Sequence, residues 1–226
     1  MCDKNKWIFF LTLVVGVIFA GDKIAVATKV FGKAEVGRNN PVVYSMIKPG
    51  TILSDGDRVR TGSTGFVTVI FIDDKSALKI KENTELEITG ILSATKINKQ
   101  INIDIGTLRA TVEKQKNTEF VIRTPTSVAS VKGTDFWLIS DPFTGDQLIG
   151  LEGTVNLLNL LTGVSIDVLA GYTGNSTIDG AVNDSETDEA TIPDDPDEAE
   201  VESGSELRIY LEGPDGTQKV ILIQYQ

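Results

Sequence analysis

The sequence predicts an all-β protein: a short-stranded sandwich or a compact stacked β-solenoid-like body, followed by a C-terminal β-hairpin. Three observations carry this. Apolar and polar residues alternate with period two in several separate runs, which puts one residue set on a core face and the other in water. Val, Ile and Thr recur between turn signals spaced roughly ten residues apart. No stretch makes a convincing amphipathic helix.

In chain order, the first element is a targeting segment. Lys4 and Lys6 form a short positive region, and Trp7 to Ala20 is an uncharged apolar run. A bilayer span needs roughly 20 apolar residues, so this shorter run fits a signal peptide better. Ala25-Val26-Ala27 supplies a small-x-small cleavage pattern, which places the cut after Ala27 and makes residues 1–27 the signal peptide; a cut after Ala20 is the alternative. The expected product is a periplasmic or secreted protein with no membrane span after cleavage. Cys2, the single cysteine, leaves with the signal, so the mature chain has no disulfide.

The body is expected over residues 28–180. Leu78 and Ile80 alternate with Lys79 and Lys81, and Leu86 and Ile88 with Glu85 and Glu87. The same pattern runs through Ile101, Ile103 and Ile105, through Leu108, Ala110 and Val112, and through Val164, Ile166 and Val168. Phe66 to Ile72 is apolar almost throughout, as in a strand covered on both faces. Turn signals stand at Asp55-Gly56-Asp57, Asp73-Asp74-Lys75, Gly106, Thr124-Pro125 and Lys132-Gly133.

An acidic linker is expected over 181–205. Eleven Asp and Glu lie between Asp184 and Glu206 with no Lys or Arg, and the rest of the chain is then formally neutral, with 21 acids and 21 bases. Such a stretch repels itself and stays extended. Asp194 to Glu198 offers hard oxygen ligands, but the spaced Asp-x-Asp-x-Asp-Gly loop of a tight calcium site is missing. A neutral body with an acidic linker also lacks the basic footprint that nucleic acid requires.

Residues 206–226 close the chain as a hairpin. Leu207, Ile209 and Leu211 alternate with polar residues, Gly213-Pro214-Asp215-Gly216 turns, and Lys219 to Tyr225 returns. Two strands alone are marginal in water, so this hairpin is expected to dock on its own body, on a second copy or on an envelope protein.

Composition excludes several chemistries. There is no His, and no Cys after Cys2, so a Ser-His-Asp triad, a Cys-His pair, a His-ligated zinc and a thiolate-ligated cluster are all ruled out within the chain. The carboxylates show no catalytic spacing. No catalytic residue, cofactor or metal is expected. Asn175-Ser176-Thr177 and Asn183-Asp184-Ser185 match a glycosylation pattern too short to weigh.

The order of the turns resembles the FecR domain family. Leu53-Ser54-Asp55-Gly56-Asp57 followed by Thr61-Gly62 is similar to its "L-x-x-GD-x-h-x-TG" stretch, and Asp73 to Leu78 stands where the family has a "D-G-S" hairpin. Asp104-Ile105-Gly106-Thr107-Leu108 is similar to its "L-x-x-G-x-h" step. Thr124, Pro125, Ala129, Val131, Lys132, Gly133, Thr134 and Phe136 resemble its "T-P-x-A-x-x-x-V-R-G-T-x-F" signature, with Lys132 where Arg is usual. Gly153 with Val155, and Leu169 with Gly171, resemble the closing steps, so the resemblance runs from about residue 30 to 175. It implies the extracytoplasmic domain of a regulator. Six residues precede the hydrophobic run, so the cytoplasmic arm with which the family's namesakes bind a sigma factor is not expected.

Backbone demands explain the signature residues. Pro125 suits a strand corner, Gly133 a turn or close approach, Thr134 a local backbone bond and Phe136 the core. Asp55, Gly56, Asp57, Thr61 and Gly62, with Asp73 and Asp74, are expected as turn formers ahead of metal ligands. Two functions remain: a protein-interaction or sensory module of the cell envelope that engages a partner through the hairpin 206–226 or the acidic linker, or a carbohydrate- or peptidoglycan-binding module. Sugar sites expose aromatics, and Tyr44, Tyr172 and Tyr210 are scattered while Trp137 sits beside Phe136, which favours protein contact.

Overall fold

The computed structural model describes residues 22–93, 96–114, 120–197, 205–212 and 218–225. The leader up to Gly21, residues 198–204 of the acidic stretch and the turn at 213–217 lie outside the described residues.

Seventeen strands form one continuous open sheet folded over into two layers. In the first layer the order is β4 (Ile52–Ser54), β1 (Lys23–Phe31), β6 (Phe66–Phe71), β7 (Ala77–Ile80), the second half of β9 (Lys96–Val112), β12 (Thr134–Asp141), β13 (Gly145–Glu152), β16 (Tyr172–Thr177) and β17 (Val182–Glu186). In the second it is β3 (Val43–Met46), β2 (Ala34–Arg38), β5 (Asp57–Thr61), β8 (Glu85–Ser93), the first half of β9, β10 (Phe120–Arg123), β11 (Ser127–Val131), β14 (Thr154–Asn159) and β15 (Ser165–Leu169). Of the two architectures expected, the sandwich is the one adopted. β9 and β10 run parallel, and the other pairs are antiparallel.

The layers share β9. Its first part pairs with β8 through Ile105, and from Gly106 it pairs with β12 in the other layer. Gly106 has φ +122°, and a side chain there would run into Thr84, so glycine is what permits the crossing. The crossing also ends the β9 alternation early: Ile101 and Ile103 are buried, while Ile105 is 42% exposed.

Inward residues of both layers form one core. It includes Ile24, Phe71, Leu78, Ile80 and Leu108 from the first layer and Val59, Leu86, Phe120, Ile122 and Leu157 from the second. The rings of Phe71 and Phe120 meet edge to face at 5.7 Å across the interface.

Two boundaries differ from expectation. β1 starts at Lys23, and Ile24, Ala25 and Ala27 are fully buried against β4 and β6, so the cut expected after Ala27 falls inside a core strand. The acidic linker expected from 181 is built structure as far as residue 197. β17 adds an edge strand to β16, a 3-10 turn spans Glu189–Thr191, and Asp195 is only 7% exposed. Its charges are placed opposite basic residues far away in sequence, which local composition does not reveal.

β18 (Ser205–Glu212) and β19 (Gln218–Tyr225) pair as the expected hairpin in a sheet of their own. The register puts Leu207 opposite Ile223 and Ile209 opposite Ile221.

Candidate functional site

The outer face of the first layer carries one row of residues in direct register: Lys29, Thr68, Lys79, Arg109, Trp137, Ile149, Thr173 and Ser185. Phe136 and Leu138 enter the core, so period two sends Trp137 outward. Yet Trp137 is 1% exposed and Ile149 is fully buried.

The segment Thr187–Asp197 lies along this row as a strap. Thr187 Oγ1 is 2.9 Å from Thr173 Oγ1. Lys81 Nζ donates to the Asp194 carbonyl at 3.1 Å. Asp195 Oδ2 accepts from Lys79 Nζ at 2.6 Å and from an Arg109 nitrogen at 2.7 Å. Asp197 pairs with Lys29 at 3.1 Å and Lys79 at 3.3 Å and accepts from Thr68. The Arg109 guanidinium also forms a two-pronged pair with Asp135, at 2.9 Å in each prong. Arg109 and Lys81 each lie 6.0 Å from the centre of the Trp137 ring. The strap therefore crosses from β16 to β1, six strand spacings or roughly 29 Å, with ten residue steps whose maximum reach is about 36 Å. It has little slack.

Burial acts to raise the pKa of Asp195, but the hydrogen bonds from Lys79, the Asp197 N–H and Arg109 outweigh it, and the net shift is downward. The carboxylate stays charged because its partners are charged donors.

The signature residues lie elsewhere. Thr124, at the corner after β10, accepts from the N–H groups of Thr126 and Ser127 and donates to Asp146 Oδ2 at 2.6 Å. Thr126 also donates to that oxygen. Pro125 is the exposed corner residue, while Ala129 and Val131 face the core from β11. Lys132 and Gly133 carry the chain from β11 to β12, and Gly133 has φ +130° and lies against Lys114. Phe136 is fully buried. Thr134 departs from expectation: its buried Oγ1 has no hydrogen-bond partner. Lys114, Ser130, Lys132, Gly133, Thr154 and Asn156 line a shallow groove on the second layer.

The turn carboxylates do more than form turns. Asp55 accepts from the Gly90 N–H at 2.9 Å. Asp57 accepts from Ser54 N–H and from two nitrogens of Arg38. Gly56 takes φ +79°, Thr61 donates to the Lys81 carbonyl, and Gly62 N–H reaches the Lys33 carbonyl. Asp73 and Asp74 hold Lys99, whose side chain is completely buried, at 2.9 and 2.8 Å. Sequence reasoning missed Lys99, and one signal was available: it occupies an inward position between Ile97 and Ile101.

Aromatics form no platform among the described residues. Arg60 covers Tyr44 at 3.5 Å, Trp137 is buried, and Phe143 and Tyr172 are exposed on different strands or turns. The Tyr210 side chain is outside the described residues. No group of His, Cys, Asp and Glu that could hold a metal occurs among the described residues.

These features define a β-sandwich scaffold whose polar clusters fasten corners and layers together and whose one covered face holds an acidic segment. Residues 57–156 match the family model described as FecR protein. Two crystal structures, each described as of "a putative anti-sigma factor" from Parabacteroides distasonis ATCC 8503, are similar to it. Their identities are 12% and 11% and their TM-scores 0.49 and 0.47; the matches cover 70% of this chain in each case and 68% and 70% of those chains. No curated protein matches the chain.

Proposed function

We propose that this chain is an exported, non-enzymatic interaction module of the cell envelope with a sensory or signalling role. The observation that carries the reading is the match of residues 57–156 to the family model described as FecR protein, a resemblance that implies the extracytoplasmic domain of a regulator. The hairpin β18–β19 supports it, since it forms a two-stranded sheet of its own whose register pairs Leu207 with Ile223 and Ile209 with Ile221. Export rests on the leader, with its two lysines followed by an uncharged apolar run.

The test is capture from a cell-envelope extract with the mature protein as bait, alongside cell fractionation. A specific envelope protein should be retained, and Ile209→Asp with Ile221→Asp should lose it while the thermal midpoint stays put. Recovery of the protein from the cytoplasm, or turnover of a glycan or peptide by the purified chain, would overturn the reading.

A further inference from the structure

We propose that the row Lys29–Lys79–Arg109–Trp137 is a peptide-binding groove, that its ligand is an extended acidic segment of a partner protein, and that the strap Thr187–Asp197 occupies it in cis. The proposal rests on the interaction reading above and names the surface and partner chemistry.

Three observations converge. First, the face has the composition of a recognition site. Trp137 and Ile149 give an apolar floor, and Lys29, Lys79, Lys81 and Arg109 surround it with positive charge. A sheet face meant only for water does not bury a tryptophan on its outer side. Second, the strap is bound as a peptide would be. It joins no β-ladder beyond β17, and its contacts with the row are mainly hydrogen bonds from side chains of the face, charge-assisted at Lys79, Lys81 and Arg109. Ile192 and Pro193, half-buried, precede the anchoring Asp195 and Asp197, so the fitting motif is apolar-Pro-Asp-Asp-Pro-Asp. Third, charge complementarity fixes the occupant's sign: a basic or neutral segment would leave Arg109 and Lys79 facing each other, adjacent in register, without the carboxylate they share.

A cis segment on a short tether has an effective concentration in the millimolar range. A peptide added in trans therefore binds poorly until the strap is weakened or the partner's segment is better matched, which makes the strap a competitive gate.

The probe is a fluorescent synthetic peptide of residues 191–198, titrated into the full chain carrying Trp7→Phe so that emission comes from Trp137 alone. In Asp195→Asn/Asp197→Asn the peptide should bind at least tenfold more tightly than in the parent, and Trp137 should become accessible to acrylamide until the peptide restores its protection. Adding Arg109→Gln should reverse the gain tenfold, with near-ultraviolet circular dichroism confirming that each variant is folded. Four results would overturn the proposal: Trp137 still protected in the double variant, no binding by the folded and opened variant, equal binding of a scrambled peptide, or a concentration-dependent dimer of the parent chain that the double variant abolishes, which would seat a second copy's strap in the groove. Envelope capture through β18–β19 can succeed in each of these cases, so failure of the groove and failure of the interaction reading are separate outcomes.

Discussion

The Thr124 hydroxyl donates to Asp146 Oδ2 at 2.6 Å and thereby fastens the corner after β10 in one layer to β13 in the other. Asp146 is 4% exposed, and its other oxygen is buried without a hydrogen-bond partner, as are the hydroxyls of Ser127 and of Ser140, its direct neighbour on β12. A carboxylate so placed depends heavily on the few donors it has. The first residue of the Thr-Pro signature is thus a joint between layers.

Thr124→Val should lower the free energy of unfolding by about 1–3 kcal/mol, because it strips a donor from a buried acceptor. Thr124→Ser should recover most of the loss. Urea midpoints at unchanged slope measure both, and a neutral Thr124→Val would show that the bond contributes nothing.

Lys99 has a completely buried side chain, with Asp73 at 6% and Asp74 at 23% side-chain exposure. Asp73→Ala should cost about 3–5 kcal/mol, since it leaves a buried ammonium half-paired. Asp74→Ala, nearer to water, should cost about 1 kcal/mol. This replaces the expectation that these carboxylates matter only to a turn. Equal costs at the two positions, read by chemical denaturation, would refute the ranking.

Gly133→Val should destabilise by roughly 1–3 kcal/mol, because φ +130° is strained for a branched residue and Lys114 stands close by. Lys132→Ala, next door and exposed, should stay within about 0.5 kcal/mol. Thermal midpoints of the pair separate a backbone demand from a charge demand.

Strap docking should depend on pH in one direction. The folded-state pKa of Asp195 lies below its ordinary 3.8, so the clasp contributes fully above that value and is lost as pH falls through the lower, folded one. Trp137 emission should therefore be constant from pH 8 to about 5 and shift to the red in stronger acid. A shift confined to higher pH would place control in another group.

The mature protein should begin at Gly21, after Ala20. A cut after Ala27 removes Ile24, Ala25 and Ala27 from the core and breaks the pairing of β1 with β4. Intact mass of the exported protein decides between them, and a folded chain starting at Thr28 would refute this.

Much of the sandwich was legible where neighbours in sequence decide it. The alternation in Leu78-Ile80, Leu86-Ile88 and Leu108-Ala110 marks the inward residues correctly, because a strand's faces are set by its own period. The signature also located its corners. What was not legible depends on residues far apart in the chain. Asp195 looks like part of a solvated acidic run until Lys79 and Arg109, over eighty positions away, are placed beneath it. Ile24 to Ala27 follows closely on an apolar leader, so a core strand and a cleavage site look alike. Val164 illustrates the limit of alternation: it continues the pattern of Ile166 and Val168 but lies in the turn before β15 and is 51% exposed.

A strand that changes layers at Gly106 makes the two halves mechanically one piece. The layers cannot separate like the covers of a book, and neither can slide over the other as a rigid plate, because β9 is clamped by β8 and β10 on one side of the crossing and by β7 and β12 on the other. Tension applied at the strapped face reaches the opposite layer along β9 itself, through a residue whose conformation only glycine holds without strain.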